Sequence, residues 1–108
     1  MSWISLCQLD ELTERKGKYV EIDGFQLAVF LVDGKVNVLD NVCPHAGGSL
    51  AEGEVEDECV ACPWHQWTFR LADGKLRGAE TVGVTHYPIR LLERDGQPTL
   101  VQADLPVY

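Results

Sequence analysis

Cys43-Pro44-His45-Ala46-Gly47-Gly48-Ser49-Leu50, answered further on by Cys62-Pro63-Trp64-His65-Gln66-Trp67, is the stretch on which the reading of this chain turns. Each half joins one thiol to one imidazole, and sixteen residues (Ala46 to Ala61) separate the two pairs. The prolines and glycines around them make turns and do not continue strands. Two soft sulfur ligands and two imidazoles on two loops form a metal site, with Cys43, His45, Cys62 and His65 as its ligands.

A single zinc ion also accepts two thiolates and two imidazoles, usually with both Cys in one tight knuckle and both His on a helix. Here each loop carries one of each. That grouping suits two distinct metal ions, because each loop can give a soft ligand to one ion and a borderline ligand to the other. The pattern C-P-H, sixteen residues, C-P-W-H resembles the Rieske motif, in which both Cys bind one iron and both His bind the other iron of a [2Fe–2S] cluster. The resemblance implies that Cys43 and Cys62 hold one iron, and His45 and His65 the other. A structural zinc on the same four residues is the alternative from another class.

Two thiolates cancel the two positive charges of an oxidised diiron–disulfide core, so the site is neutral before it takes an electron. A neutral site is easier to reduce than a four-Cys cluster, which places the potential within roughly −150 to +300 mV. One-electron transfer is the expected job, and nothing in the chain marks a place where substrate is turned over. Respiratory Rieske proteins carry an extra Cys in each loop and a Ser and a Tyr that donate hydrogen bonds to sulfur. The matching positions here are Gly48, Trp64, Trp67 and Phe69, which give neither the disulfide nor the hydroxyls. Hydrogen bonds to sulfur favour the more negative, reduced state, so the lower part of the range is expected.

Beside the ligands, Pro44 and Pro63 fix φ and remove a donor, stiffening each loop. Gly47 and Gly48 allow a sharp turn and bring backbone amides toward sulfide. Trp64 is expected to shield the cluster from water, and Trp67 and Phe69 to be core. Electrons are expected to pass the outer edges of His45 and His65, with Ala46, Trp64 and Gln66 as the surrounding contact. Cys59 and Cys62 form a C-x2-C, but with Cys62 a ligand, Cys59 reads as a buried thiol on a strand leading into the loop. Cys7 reads as core filling, and His86 as a surface or packing residue.

The chain has 108 residues, 45% of them apolar, which fits one domain with a real core (1–108), its cluster-binding lobe at about 42–78. Seventeen acidic against nine basic side chains give a net charge of −8, which disfavours nucleic acid and suits a basic redox partner. The absence of an apolar run of ~18 residues argues against a membrane span, and Met1-Ser2-Trp3-Ile4-Ser5 is not a signal peptide. A cytoplasmic location is the expectation.

Four D-G pairs, at 23–24, 33–34, 73–74 and 95–96, punctuate short apolar runs. The runs predict strands at Trp3 to Leu6, Tyr19 to Ile22, Leu27 to Val32, Val36 to Leu39, Thr68 to Leu71, His86 to Leu92 and Thr99 to Gln102. Leu9 to Glu14 reads as one helical turn. Spacing this short and regular predicts an all-β fold, an antiparallel sandwich or small barrel base with a smaller cluster-holding lobe. End to end, the chain resembles a Rieske ferredoxin. W-T-F-R-L-A-D-G-K-L followed by V-G-V-T-H-Y-P-I-R looks most like the small subunit of NAD(P)H-dependent nitrite reductase, which works with a flavin- and sirohaem-bearing large subunit. The other reading is the ferredoxin that carries electrons from a flavin reductase to a ring-hydroxylating oxygenase.

Overall fold

Phe25 to Val32 is apolar at nearly every position because both of its faces are covered. This strand lies near the centre of a computed structural model that describes residues 2–43, 47–63 and 67–106, the side chain of Glu80 aside. The chain enters on β1 (Ser2–Gln8) and a single 3-10 turn (Leu9–Glu11). It continues through β2 (Gly17–Ile22), β3 (Phe25–Val32) and β4 (Lys35–Asp40) to a second 3-10 turn (Leu50–Glu52). Short strands follow: β5 (Glu54–Glu56), β6 (Cys59–Ala61), β7 (Thr68–Arg70), β8 (Lys75–Leu76) and β9 (Ala79–Gly83). The path ends with β10 (His86–Tyr87), β11 (Ile89–Arg94) and β12 (Gln97–Leu105).

These strands make three antiparallel sheets, ordered β1-β12-β11, β10-β4-β3-β2 and β5-β6-β7-β8-β9. Leu27 and Val29 on one face of β3 join Val36, Val38, Val101, Ala103 and Leu105 in the core between the first two sheets. Ala28 and Phe30 on the other face join Leu39, Leu50, Val60, Phe69 and Leu71 in a second core beneath the third sheet. One strand thus serves two cores, which ties the five-stranded unit to the base. The fold is all-β, as expected. Among the described residues, no helix is long and apolar enough to cross a membrane.

Both residues of Asp23-Gly24 and Asp33-Gly34 have positive φ (49° and 83°; 52° and 78°), the mirrored turn that matches strand twist. They close the pairs Ile22–Phe25 and Val32–Lys35. Asp73-Gly74 is different. The Asp73 carboxylate turns back to the Arg70 guanidinium at 2.7 Å and accepts the Lys75 amide at 3.0 Å, shaping a longer connection between β7 and β8. The helical reading of Leu9 to Glu14 shortens to Leu9–Glu11. The expected strand His86 to Leu92 divides at Pro88: Tyr87 pairs with Val38 in one sheet, and Ile89 pairs with Ala103 in another. Proline has no amide to give a ladder, and here the chain steps from one sheet to the next. The third sheet runs on to Gly83, past the lobe limit of about 78.

Candidate metal centre

The first loop leaves β4 through Asn41, a buried polar residue that holds both ends of the loop. Its backbone amide donates to the Gln26 carbonyl and its carbonyl accepts the Leu50 amide, each at 2.8 Å. Its side-chain Oδ1 accepts the Ser49 hydroxyl at 3.1 Å and the Ala51 amide at 2.8 Å. Inside this clamp Val42 bridges Ser49, and the Cys43 amide donates to the Gly48 carbonyl at 2.9 Å. The Gly47 amide, at a left-handed φ of +73°, donates to the Cys43 carbonyl at 2.8 Å. The second loop is built alike: Cys62 follows β6 and donates its amide to the Trp67 carbonyl at 2.8 Å before the chain enters β7.

Cys43 and Cys62 are both buried, 1% and 3% exposed, within one apolar cluster that includes Leu50, Val60 and Phe69. Pro44, His45 and Ala46, with Trp64, His65 and Gln66, lie outside the described residues. Among the described residues no group of three or more metal-binding side chains occurs. The structure therefore brings Cys43 and Cys62 into one cluster on matched loops, and its description stops short of the imidazoles.

Phe69 is fully buried and Trp67 half-buried, their ring centroids 6.4 Å apart. Cys59 lies on β6 as expected, but it is half-buried, and desolvation raises its thiol pKa. Cys7 is buried in the base core, where burial pushes its thiol up to about 11. His86 packs against β4, its Nε2 3.1 Å from Asn37 Oδ1, and desolvation lowers its pKa. Gly47 takes the sharp turn expected of it, and its amide is engaged by the Cys43 carbonyl. No described residue accepts the Gly48 amide.

Sequence reasoning missed Asn41 and Ser49, whose only signal was a polar pair flanking the first loop. It also missed Gly17 and Gly53. A Cβ on Gly17 would lie 2.5 Å from the Ala51 carbonyl oxygen, and one on Gly53 would lie 2.1 Å from that of Ala61. Gly17 lets Ala51 of the lobe seat against the base, and Gly53 lets the end of the first loop pack onto β6.

The sequence pattern of the Rieske [2Fe-2S] domain matches residues 2–88. The ferredoxin component of the naphthalene 1,2-dioxygenase system of Pseudomonas putida is 29% identical, over 84% of this chain and 88% of that one. A Rhodococcus rhodochrous protein assigned as the oxygenase component of a 3-ketosteroid-9-alpha-monooxygenase is 43% identical over 68% of this chain, which spans only 18% of its length. Among solved structures, a Mycobacterium tuberculosis protein assigned as an NADH-dependent nitrite reductase small subunit superposes with a TM-score of 0.83 and 30% identity, over 98% of this chain and 97% of the other. The ferredoxin of Sphingomonas yanoikuyae B1 gives 0.82 and 29%, over 97% and 100%.

Proposed function

Because the chain belongs to the Rieske [2Fe-2S] domain family, we propose that it is an electron-transfer protein whose cluster is held by Cys43, His45, Cys62 and His65. The observation that carries this reading is the pair of buried cysteines on twin hydrogen-bonded loops within one apolar cluster. The donor set fits. Two thiolates and two imidazoles are the donors that a Rieske-type cluster takes, and the two cysteines stand on matched loops within one cluster. When bound, such a cluster takes up and releases one electron at a time.

The chain's own residues do the rest. Leu50, Val60 and Phe69 keep water from the sulfur side, while Asn41 holds the first loop in register with β3. Gly48 offers its amide toward sulfur. Pro44 and Pro63 stiffen the loops, and Ala46, Trp64 and Gln66 surround the histidine edge past which electrons enter and leave. With Gly48, Trp64, Trp67 and Phe69 in place of the disulfide and hydroxyl donors, the potential belongs in the lower part of the roughly −150 to +300 mV range. The Asn41–Gly53 segment with β5 to β9 is the cluster-holding lobe of a single domain, and the cytoplasm is the setting.

The pathway we favour is that of an assimilatory nitrite reductase, with this chain as the small subunit beside a large flavin- and sirohaem-bearing partner. Support comes from the likeness to the M. tuberculosis protein over nearly the whole of both chains. A second reading, the ferredoxin between a flavin reductase and a ring-hydroxylating oxygenase, is favoured by the near full-length match to the naphthalene dioxygenase ferredoxin component. Anaerobic purification tests the shared core of both readings: two irons and two acid-labile sulfides per chain and a paramagnetic signal after dithionite are expected, whereas colourless protein holding one zinc refutes it. Affinity capture from native cells separates the pathways by the cofactor of the protein retained, sirohaem or the iron of an oxygenase.

A further inference from the structure

Along β2, Gly17, Tyr19 and Glu21 share one face. Gly17 lies under Ala51 of the lobe, while Tyr19 and Glu21 run on past the lobe's edge. Tyr19 is 45% exposed, and so is its neighbour across the surface, Val42, at 43%. Both line a depression of about 400 Å³ that reaches Gly47 and Ser49 of the Cys43 loop and is bounded by Glu52. The Tyr19 hydroxyl donates to Glu21 at 3.4 Å, which sets a second carboxylate at the margin. An adjoining hollow of about 370 Å³ shares Val42 and Gln26 and continues over Phe25 and Tyr87 to Asp40. Among the described residues, no basic residue lines either hollow. Lys18 alternates to the opposite face and pairs with Glu11 at 3.7 Å, and Arg15 and Lys16 line a separate depression beyond Glu52.

Large apolar side chains exposed together, rimmed by like charges and continuous with a redox loop, have the make-up of a docking surface. We infer that the Tyr19–Val42 strip is the footing for the redox partner, a protein presenting an apolar side chain ringed by lysines or arginines. The inference rests on the electron-transfer reading and adds a direction to it. The partner lies over the Cys43 loop and the β2 side of the base, not centred on the Cys62 loop. Opposite charge steers the encounter, and the apolar strip holds it once formed.

The test uses the holoprotein, reduced with dithionite and mixed with ferric cytochrome c, a basic haem protein; one electron passes, giving ferrous haem and the oxidised ferredoxin. Ferricyanide, a small acceptor without a docking surface, serves as reference. Val42→Ser and Glu52→Lys should each lower the cytochrome c rate constant by about fivefold or more at low salt, and Glu52→Lys should flatten its salt dependence. Absorption spectra and ferricyanide rates should stay unchanged. Glu93→Lys, with the same charge change in the β11 strand, should have less than half that effect. Equal losses from Glu52→Lys and Glu93→Lys, with none from Val42→Ser, would overturn the footing. Failure of the parent protein to reduce even ferricyanide would instead sink the electron-transfer reading. Should Glu52→Lys fail to fold, Glu21→Lys asks the same question from the other margin.

Discussion

Cys43 and Cys62 hold equivalent stations: each donates its amide to the carbonyl that closes its own loop, Gly48 at 2.9 Å and Trp67 at 2.8 Å. This equivalence supports the proposal that they serve one centre and sets Cys59 apart, since Cys59 sits within a strand ladder opposite Arg70. Cys43→Ser and Cys62→Ser should each lose nearly all bound iron and acid-labile sulfide. Cys59→Ser should retain both, and metal analysis of the three purified variants is the check. Loss of iron in Cys59→Ser alone would reverse the assignment.

Asn41→Ala removes the acceptor for the Ser49 hydroxyl and the Ala51 amide. Leaving a buried amide unpaired costs about 1–3 kcal/mol, so urea denaturation should show a loss of that size. The iron of the variant should also escape to a chelator faster than the parent's, because the clamp closes the Cys43 loop.

Gly17→Ala forces a methyl against a backbone carbonyl in the seam between base and lobe, and Gly53→Ala does so inside the lobe, against β6. Overpacking of this kind costs about 1–3 kcal/mol or more, and backbone has little room to yield. Gly34→Ala is the comparison. Its Cβ would meet nothing within 4 Å, so only its φ of +78° resists, at roughly 1–2 kcal/mol. Thermal melts should show both crowded variants below the turn variant, with cluster content reduced only in that pair.

Alkali should destabilise the protein through Cys7. Its thiol ionises near the ordinary 9.0 when the chain is unfolded and near 11 when folded, because burial penalises the thiolate. Stability is therefore whole below the unfolded value and is lost as pH rises between the two, by at most about 1.4 kcal/mol per pH unit. Tyr87, raised by burial and by the carboxylate of Asp40 that its hydroxyl meets at 2.6 Å, extends the decline to higher pH in the same direction. Urea midpoints followed from neutral pH to 11 should fall less steeply above 9 in Cys7→Ala than in the parent. Equal slopes would remove Cys7 as the cause.

Long strands with alternating or continuous apolar residues between D-G turns were readable from the sequence, and so was the likeness of the two Cys-bearing loops. Asp33 and Gly34 announce a turn through their own backbone preferences. The strands Glu54–Glu56 and Cys59–Ala61 were not readable as a hairpin. They are too short to show a period, and their two-residue turn is Asp57-Glu58, with Asp57 at a φ of +56° and no glycine. Gly17 looked like any loop glycine, since its constraint comes from Ala51, a residue remote in sequence.

By itself, the sequence determined which donors a centre here can draw on: two thiols and two imidazoles, one of each beside each of the two turn-forming stretches. Covalent composition and local backbone preference suffice for that. Only the tertiary structure decided that β3 would serve two cores, that Asn41 would clamp the first loop, and that Tyr19 and Val42 would meet at an acid-rimmed edge. Those outcomes depend on which distant surfaces exclude water together, and no short stretch of chain encodes them alone.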